Sequence, residues 1–277
     1  MERKSFFGKT LFDDGTKNNR IDNGGNIMKG FATICKIELR LFTRDFFSFF
    51  FALVFPVLML FLFGGIYGNT PIYEGADVKM MDVSVPAYSV MVIGVVGLMS
   101  LPLTLSGYKE KRIYKRFDAT PVGKKSIIAA QVFINFMMTL IGILILLIAG
   151  TFFYHIQIKG DFLSICAGVL FSIATLFSMG FLFTAIGWDL KSTSLLCYIF
   201  YFIMLFLSGA TMPDMLFPDT IKRISGFLPM TYAVDLMQGV FAGDSLSLHG
   251  KELLILGLVA AVCAVIGAIL YRRKDWT

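Results

Sequence analysis

The sequence predicts an all-α polytopic membrane protein: six transmembrane helices, an N-terminal interfacial amphipathic helix, and short re-entrant helices before the last span. Three observations carry that expectation. Hydrophobic residues make up 56% of the 277 positions and charged residues 16%, with a mean hydropathy of +0.74, whereas soluble domains are about one quarter charged. Six apolar runs reach or approach the roughly 20 residues that a span needs. Twenty of the 25 Lys and Arg residues fall in segments that six spans place on one side, and five fall on the other. This positive-inside bias puts both termini in the cytoplasm.

Residues 1–27 are polar and turn-rich, ending in NNRIDNGGN, and cannot bury a core of their own. They read as a flexible cytoplasmic tail, and Met28 leaves open whether they belong to the natural protein or reflect an upstream start or an extension. Nothing in them resembles a cleaved signal peptide. RKSFFGKT at 3–10 ends like a phosphate-binding loop, but Arg3 stands where its first Gly is required, so the cradle cannot form. Residues 28–45 read as an amphipathic helix lying along the cytoplasmic surface. Lys29, Lys36, Arg40 and Arg44 share one face, and Phe31, Ile34, Cys35, Leu41 and Phe42 the other. Glu38 projects into the apolar face, where a carboxylate is costly unless paired. It either snorkels to headgroups or meets a cation, for which the basic loop at 109–116 is the nearest abundant source.

The six-span domain is expected over 46–271, with 272–277 as a cytoplasmic tail. The first span, 46–66, has Pro56 at its centre, tolerated where neighbours satisfy the freed carbonyl. Gly64 and Gly68 serve either a close helix contact or a turn. The second span is read as 86–107 and includes Pro102; the third is 127–153. Between them lies SGYKEKRIYKRFDATPVGKKS, with seven cations against Glu110 and Asp118. Its periodicity predicts a short amphipathic helix with Lys109, Lys111, Arg112, Lys115 and Arg116 on one face and Ile113, Tyr114 and Phe117 on the other. Thr120 and Pro121 then open a second helix. The loop is either a solvated connector or a docking element for a cytosolic partner, since its apolar face needs headgroups or protein to cover it.

A tight turn at 155–161 leads to the fourth span, 162–186. GWDLKST at 187–193 is the next cytoplasmic turn. The fifth span covers about 194–208 and the sixth 253–271, where Ala260, Ala264 and Ala268 form a close-packing face. Between these two spans, 209–251 alternates Pro-marked turns with apolar pieces, 227–232 and 233–241, each too short to cross. They read as helices that dip into the outer leaflet and return.

Several chemistries find no support. The central parts of the predicted spans carry no Asp, Glu, Lys or Arg, which disfavours a proton-driven carrier. The Ser and Thr residues in the spans lack a nearby base and read as satisfied packing groups. Cys35, Cys166, Cys197 and Cys263 have no metal or disulfide spacing, and His155 and His249 show no ligand cluster. The net charge of +6 sits beside the spans, where the lipid bilayer and its anionic headgroups are the default partner, not nucleic acid.

Lys36 to Leu39 (KIEL), Arg44-Asp45, Lys109 to Gly123 (KEKRIYKRFDATPVG), Ser208-Gly209, Met212-Pro213 and Pro229 to Tyr232 (PMTY) together resemble the membrane (permease) subunit of type 2 ATP-binding-cassette (ABC-2) exporters. The likeness covers about residues 28–271. It implies a transporter subunit rather than an enzyme. A cytosolic ABC ATPase would hold ATP and Mg, with no cofactor on this chain, and a second permease copy or paralogue would complete a dimer. By this resemblance the ATPase-coupling residues are Lys111, Arg112, Tyr114, Arg116, Phe117 and Pro121, with Trp188 and Lys191 in the second turn. The helix of Glu38, Arg40 and Arg44 braces the contact. In the family the second and fifth spans line the dimer interface, which points to Met91, Met99, Phe200, Tyr201, Met204 and Phe206 as a translocation path for an amphipathic solute such as a drug or peptide; lipid-facing or bundle packing is the other reading of these side chains. A channel or scaffold without an ATPase is the alternative, and it leaves the partly apolar coupling loop unexplained.

Overall fold

The computed structural model describes residues 35–40, 42, 46–68, 70–72, 78–114, 123–187, 189–211 and 217–273. Among them there is helix and no strand beyond an isolated bridge between Pro71 and Lys79. Six helices are long and apolar enough to cross a membrane. The tail at 1–27 lies outside the described residues, as do Arg44, Arg116, Phe117, Pro121 and Trp188.

Helix α1, over 35–40, precedes α2, in which Phe46–Phe49, Phe50–Val54 and Phe55–Tyr67 run on as one span. Helix α3 follows as a span over Met80–Glu110, then α4 over Gly123–Tyr154, α5 over Phe162–Ile186 and α6 over Leu190–Leu207. The short α7, Asp219–Ser225, and α8, Pro229–Ala242, lead to α9, Gly250–Arg273. In α2 and α3 a wide π turn, Phe50–Val54 and Val96–Ser100, ends two residues before a proline, Pro56 and Pro102. A proline cannot donate to the carbonyl one turn back and its ring crowds it, and the wider turn accommodates both effects.

The third-in-line helix α3 is the hub. In its most apolar stretch 83% of residues are buried, against 17–50% for the other five spans. It crosses α5 where Gly97 meets Gly180 so closely that a methyl on Gly180 would overlap the Gly97 carbonyl. Thr184 Oγ1 donates to Pro102 O across the same seam at 3.4 Å. Helix α8 packs its face of Met230, Ala233, Val234 and Met237 into the centre, beside α3, α5 and α9. The other faces of α2, α4, α6 and α9 present Leu, Ile, Val and Phe outward, as a bilayer requires.

Caps set the boundaries. Asp161 accepts from Leu163 N at 3.1 Å to start α5, and Asp189 from Ser192 N at 2.9 Å to start α6. Gly68 and Gly243 close α2 and α8 with φ of 58° and 105°, a region that favours glycine. Gly64 instead faces the Tyr154 ring, so the Gly64/Gly68 pair supplies both a contact and a turn.

Four sequence expectations need correction. The helix expected over 109–117 is broken within its described part, 109–114: α3 continues to Glu110, Lys111 and Arg112 form a turn with Arg112 at φ 52°, and Tyr114 is buried, its Oη donating to Leu105 O at 3.2 Å. The pieces at 227–232 and 233–241 merge into one helix from Pro229 to Ala242, with Phe227 and Leu228 in the turn before it, because Pro229 suits a first turn and nothing interrupts the helix before Gly243. Ala264 and Ala268 are exposed, and α9 packs through Leu256 and Gly267 instead. His249 does have acidic neighbours, with Nε2 3.3 Å from Asp244 Oδ2 and Nδ1 3.7 Å from Glu252 Oε2. Among the described residues no group of three His, Cys, Asp or Glu could hold a metal.

Candidate functional site

The basic end of the bundle gathers elements far apart in sequence. The last turn of α3 grips the turn before α6: Glu110 Oε2 accepts from Leu190 N at 3.0 Å, and Lys109 Nζ donates to Gly187 O at 3.4 Å. One turn deeper, Ser106 Oγ and Thr193 Oγ1 are hydrogen-bonded at 3.0 Å, and Thr193 also donates to Asp189 O at 2.9 Å. Asp189 itself accepts from the Ser192 side chain and amide, which holds its carboxyl below the usual carboxylate range. Lys111 and Lys191 each directly follow a residue of the Glu110–Leu190 bond, and both are exposed. The two predicted coupling segments thus meet in one clamp, from which Lys111, Arg112 and Lys191 project and into which Tyr114 is turned.

A second group ties α1 to this end. Glu38, 5% exposed, accepts from Tyr108 Oη on α3 at 2.6 Å and from Gln131 Nε2 on α4. Its described partners are a phenol and an amide, not a cation of the basic loop. Burial pushes the carboxyl above its usual range, against the downward pull of both hydrogen bonds. The same burial, with the Glu38 charge nearby, raises the Cys35 thiol. Gln131 Oε1 in turn accepts from Asn135 Nδ2 at 3.1 Å, and Thr139 Oγ1 donates to Asn135 O at 2.8 Å. These residues are 3%, 2% and 0% exposed, a polar column two turns deep on α4. Asn135 Oδ1, Tyr201 Oη and Ser208 Oγ are buried and have no hydrogen-bond partner among the described residues.

The proposed path residues divide. Met91, Met99, Tyr201 and Met204 pack inside the single chain, whereas Phe200 and Phe206, 41% and 59% exposed, face outward from α6. At the opposite end Ser84, Ala87 and Tyr88 of α3, Gln238 of α8 and the unwound Gly209–Thr211 after α6 meet around a narrow crevice with no room for a water molecule. Sequence reasoning passed over Glu110, Ser106 and Thr193, whose partners lie 80 or more positions away. It also passed over Gln131, Asn135 and Thr139, although their four-residue spacing puts them on one helix face.

Comparison with known proteins gives a family model described as ABC-2 type transporter, which matches residues 29–242. No curated protein matches the chain.

Proposed function

Because the chain belongs to the ABC-2 type transporter family, we propose that it is the permease of an ATP-driven exporter whose ATP and Mg are held by a separate cytosolic ABC ATPase. The permease works in the cell membrane as a dimer with a second copy or a paralogue, both termini in the cytoplasm. Its solute is a drug, peptide or other amphipathic molecule. The observation that supports the reading is the clamp: α3 and the turn before α6 are bonded together at the one end from which Lys111, Arg112 and Lys191 project. A partner pushing on that surface moves α3 and α6 together. Arg116, Phe117, Pro121 and Trp188 belong to the same docking surface, and Arg40 and Arg44 brace it from the surface helix. Met91, Met99, Tyr201 and Met204 line the path once α3 and α6 part, and Phe200 and Phe206 meet the second permease or the solute.

Purification of the chain from its native membrane in mild detergent tests this. Recovery of a stoichiometric ATPase that charge reversal at Arg112 and Arg116 removes is the expected result. A folded chain that carries no ATPase under several conditions moves the assignment to a channel or scaffold.

A further inference from the structure

Among the described residues Glu38 is the buried acidic side chain, and it sits on α1, whose Lys36, Ile37, Leu39 and Arg40 are all exposed. A carboxylate at 5% exposure carries a desolvation cost that only well-made hydrogen bonds offset. Here the two oxygens are used separately. Oε1 takes the Tyr108 hydroxyl of α3 and Oε2 the Gln131 amide of α4, and Gln131 Nε2 also reaches the Tyr108 oxygen at 3.4 Å. The three side chains close a triangle across three helices. Gln131 cannot swing freely out of it, because its Oε1 is held by Asn135, and Asn135 Nδ2 is fixed in turn by Gln131 O at 2.8 Å. Bonds that support one another in a buried site make a stiff joint. Tyr108 immediately precedes Lys109 and Glu110, the two residues that grip the turn before α6. The triangle therefore adjoins the clamp along one turn of α3.

We propose that Glu38 is a positioning residue of the coupling apparatus, its carboxylate pinning α1 to the seam of α3 and α4 so that α1, the clamp and the basic end of α4 move as one body. This rests on the permease reading above. Docking places the ATPase at the basic end, and the Glu38 joint carries its stroke from the surface helix into α3 and α4. The chemistry needs two acceptor or exchangeable positions at 38. Gln supplies them, because its carbonyl accepts from Gln131 while its amide donates to the Tyr108 oxygen. Ala supplies neither.

The test uses the full chain reconstituted in phosphatidylcholine–phosphatidylglycerol vesicles, with hydrogen exchange followed on peptides spanning 35–40. Glu38→Ala is expected to speed exchange there about tenfold or more, the loss of charge-assisted buried bonds. Glu38→Gln stays within about twofold of the wild type, and Tyr108→Phe and Gln131→Leu fall between. Exchange in α5 and α9 does not change. Wild-type exchange at 35–40 in Glu38→Ala, or acceleration spread evenly over α5 and α9, overturns the joint. With the co-purified ATPase, Glu38→Ala is expected to keep binding but lose the rise in ATP turnover, and Glu38→Gln to restore it. Loss of binding and stimulation together overturns the transmission role. A wild-type chain that recruits no ATPase removes the permease reading and that role with it, and the exchange result at 35–40 tells this failure apart from failure of the joint.

Discussion

Gly180→Ala puts a single methyl where α3 and α5 touch backbone to backbone. Its Cβ would overlap the Gly97 carbonyl oxygen and lie 3.1 Å from the Gly97 carbonyl carbon and 3.3 Å from Pro102 Cδ. A flexible side chain could rotate away, but a helix carbonyl cannot, so the two helices must separate. Overpacking costs about 1–3 kcal/mol, and the rigid neighbour sets the upper end. Alanine returns about 0.5–1 kcal/mol through helix preference. The net loss is about 2 kcal/mol, roughly a thirtyfold shift toward the unfolded chain. Equilibrium unfolding in mixed micelles measures it, with Gly257→Ala as the matched control. There the new methyl lies 3.9 Å from Phe171 Cε1, an ordinary contact, so that variant should equal or exceed the wild type. Equal stability of Gly180→Ala and Gly257→Ala would refute the backbone crossing.

Four more outcomes follow from the geometry. Ser106→Ala and Thr193→Val should be non-additive by about 0.5–3 kcal/mol in a double-mutant unfolding cycle, since each is the other's partner at 3.0 Å; additive losses would deny the contact. Glu38 is raised by burial, so the extra stability gained by protonating it is fully present below the ordinary carboxylate pKa of about 4.3 and is lost as pH rises through the folded value, which leaves the hydrogen bonds of the carboxylate alone to hold α1; melting profiles against pH should be flatter in that window for Glu38→Gln. Asp189 is lowered, so its support of the α6 N-terminus is present above the ordinary pKa and fades as pH falls through the folded value, read as a fall in the protection of the 190–193 amides relative to their intrinsic exchange rates on acidification. His155, at φ 50° and exposed, should tolerate Gly with a gain of about 1 kcal/mol, whereas Val there should lower the unfolding midpoint.

The spans were legible where local chemistry marks their ends. The fourth runs over Phe162–Ile186 in sequence and structure alike, with Asp161 as cap and Gly187 just beyond. The second starts at Met80 rather than 86 because Asp82 and Ser84 look polar but are satisfied within the fold: Asp82 accepts from Lys79 N at 3.2 Å and from the distant Gln157 N at 2.9 Å, and Ser84 donates to Met80 O at 2.9 Å. Periodicity placed Tyr114 on an exposed apolar face. Its burial depends on Leu105, Ile127 and Ala130, contacts that no window on 109–117 contains. The alanine stripe of the last span failed for a related reason: several faces of α9 carry small residues, and only the position of α5 selects Gly267 over Ala264. The clamp joins positions about 80 apart, which a reading of local pattern cannot pair.

The crossing at Gly97 turns α3 into a beam on a fulcrum. Thirteen residues separate it from Glu110 and seventeen from Met80, arms of about 20 and 26 Å at 1.5 Å per residue. A beam held there answers a displacement of one tip with an opposite one at the other, larger by about 1.3-fold. A tug on Lys109 and Glu110 by the turn they hold would therefore swing Ser84 and Tyr88 against Gln238 and Gly209–Thr211, which they meet at the far end. The wide turn Val96–Ser100 surrounds the pivot itself, so the one break in the α-helical register of this span falls at its fulcrum and leaves both arms regular.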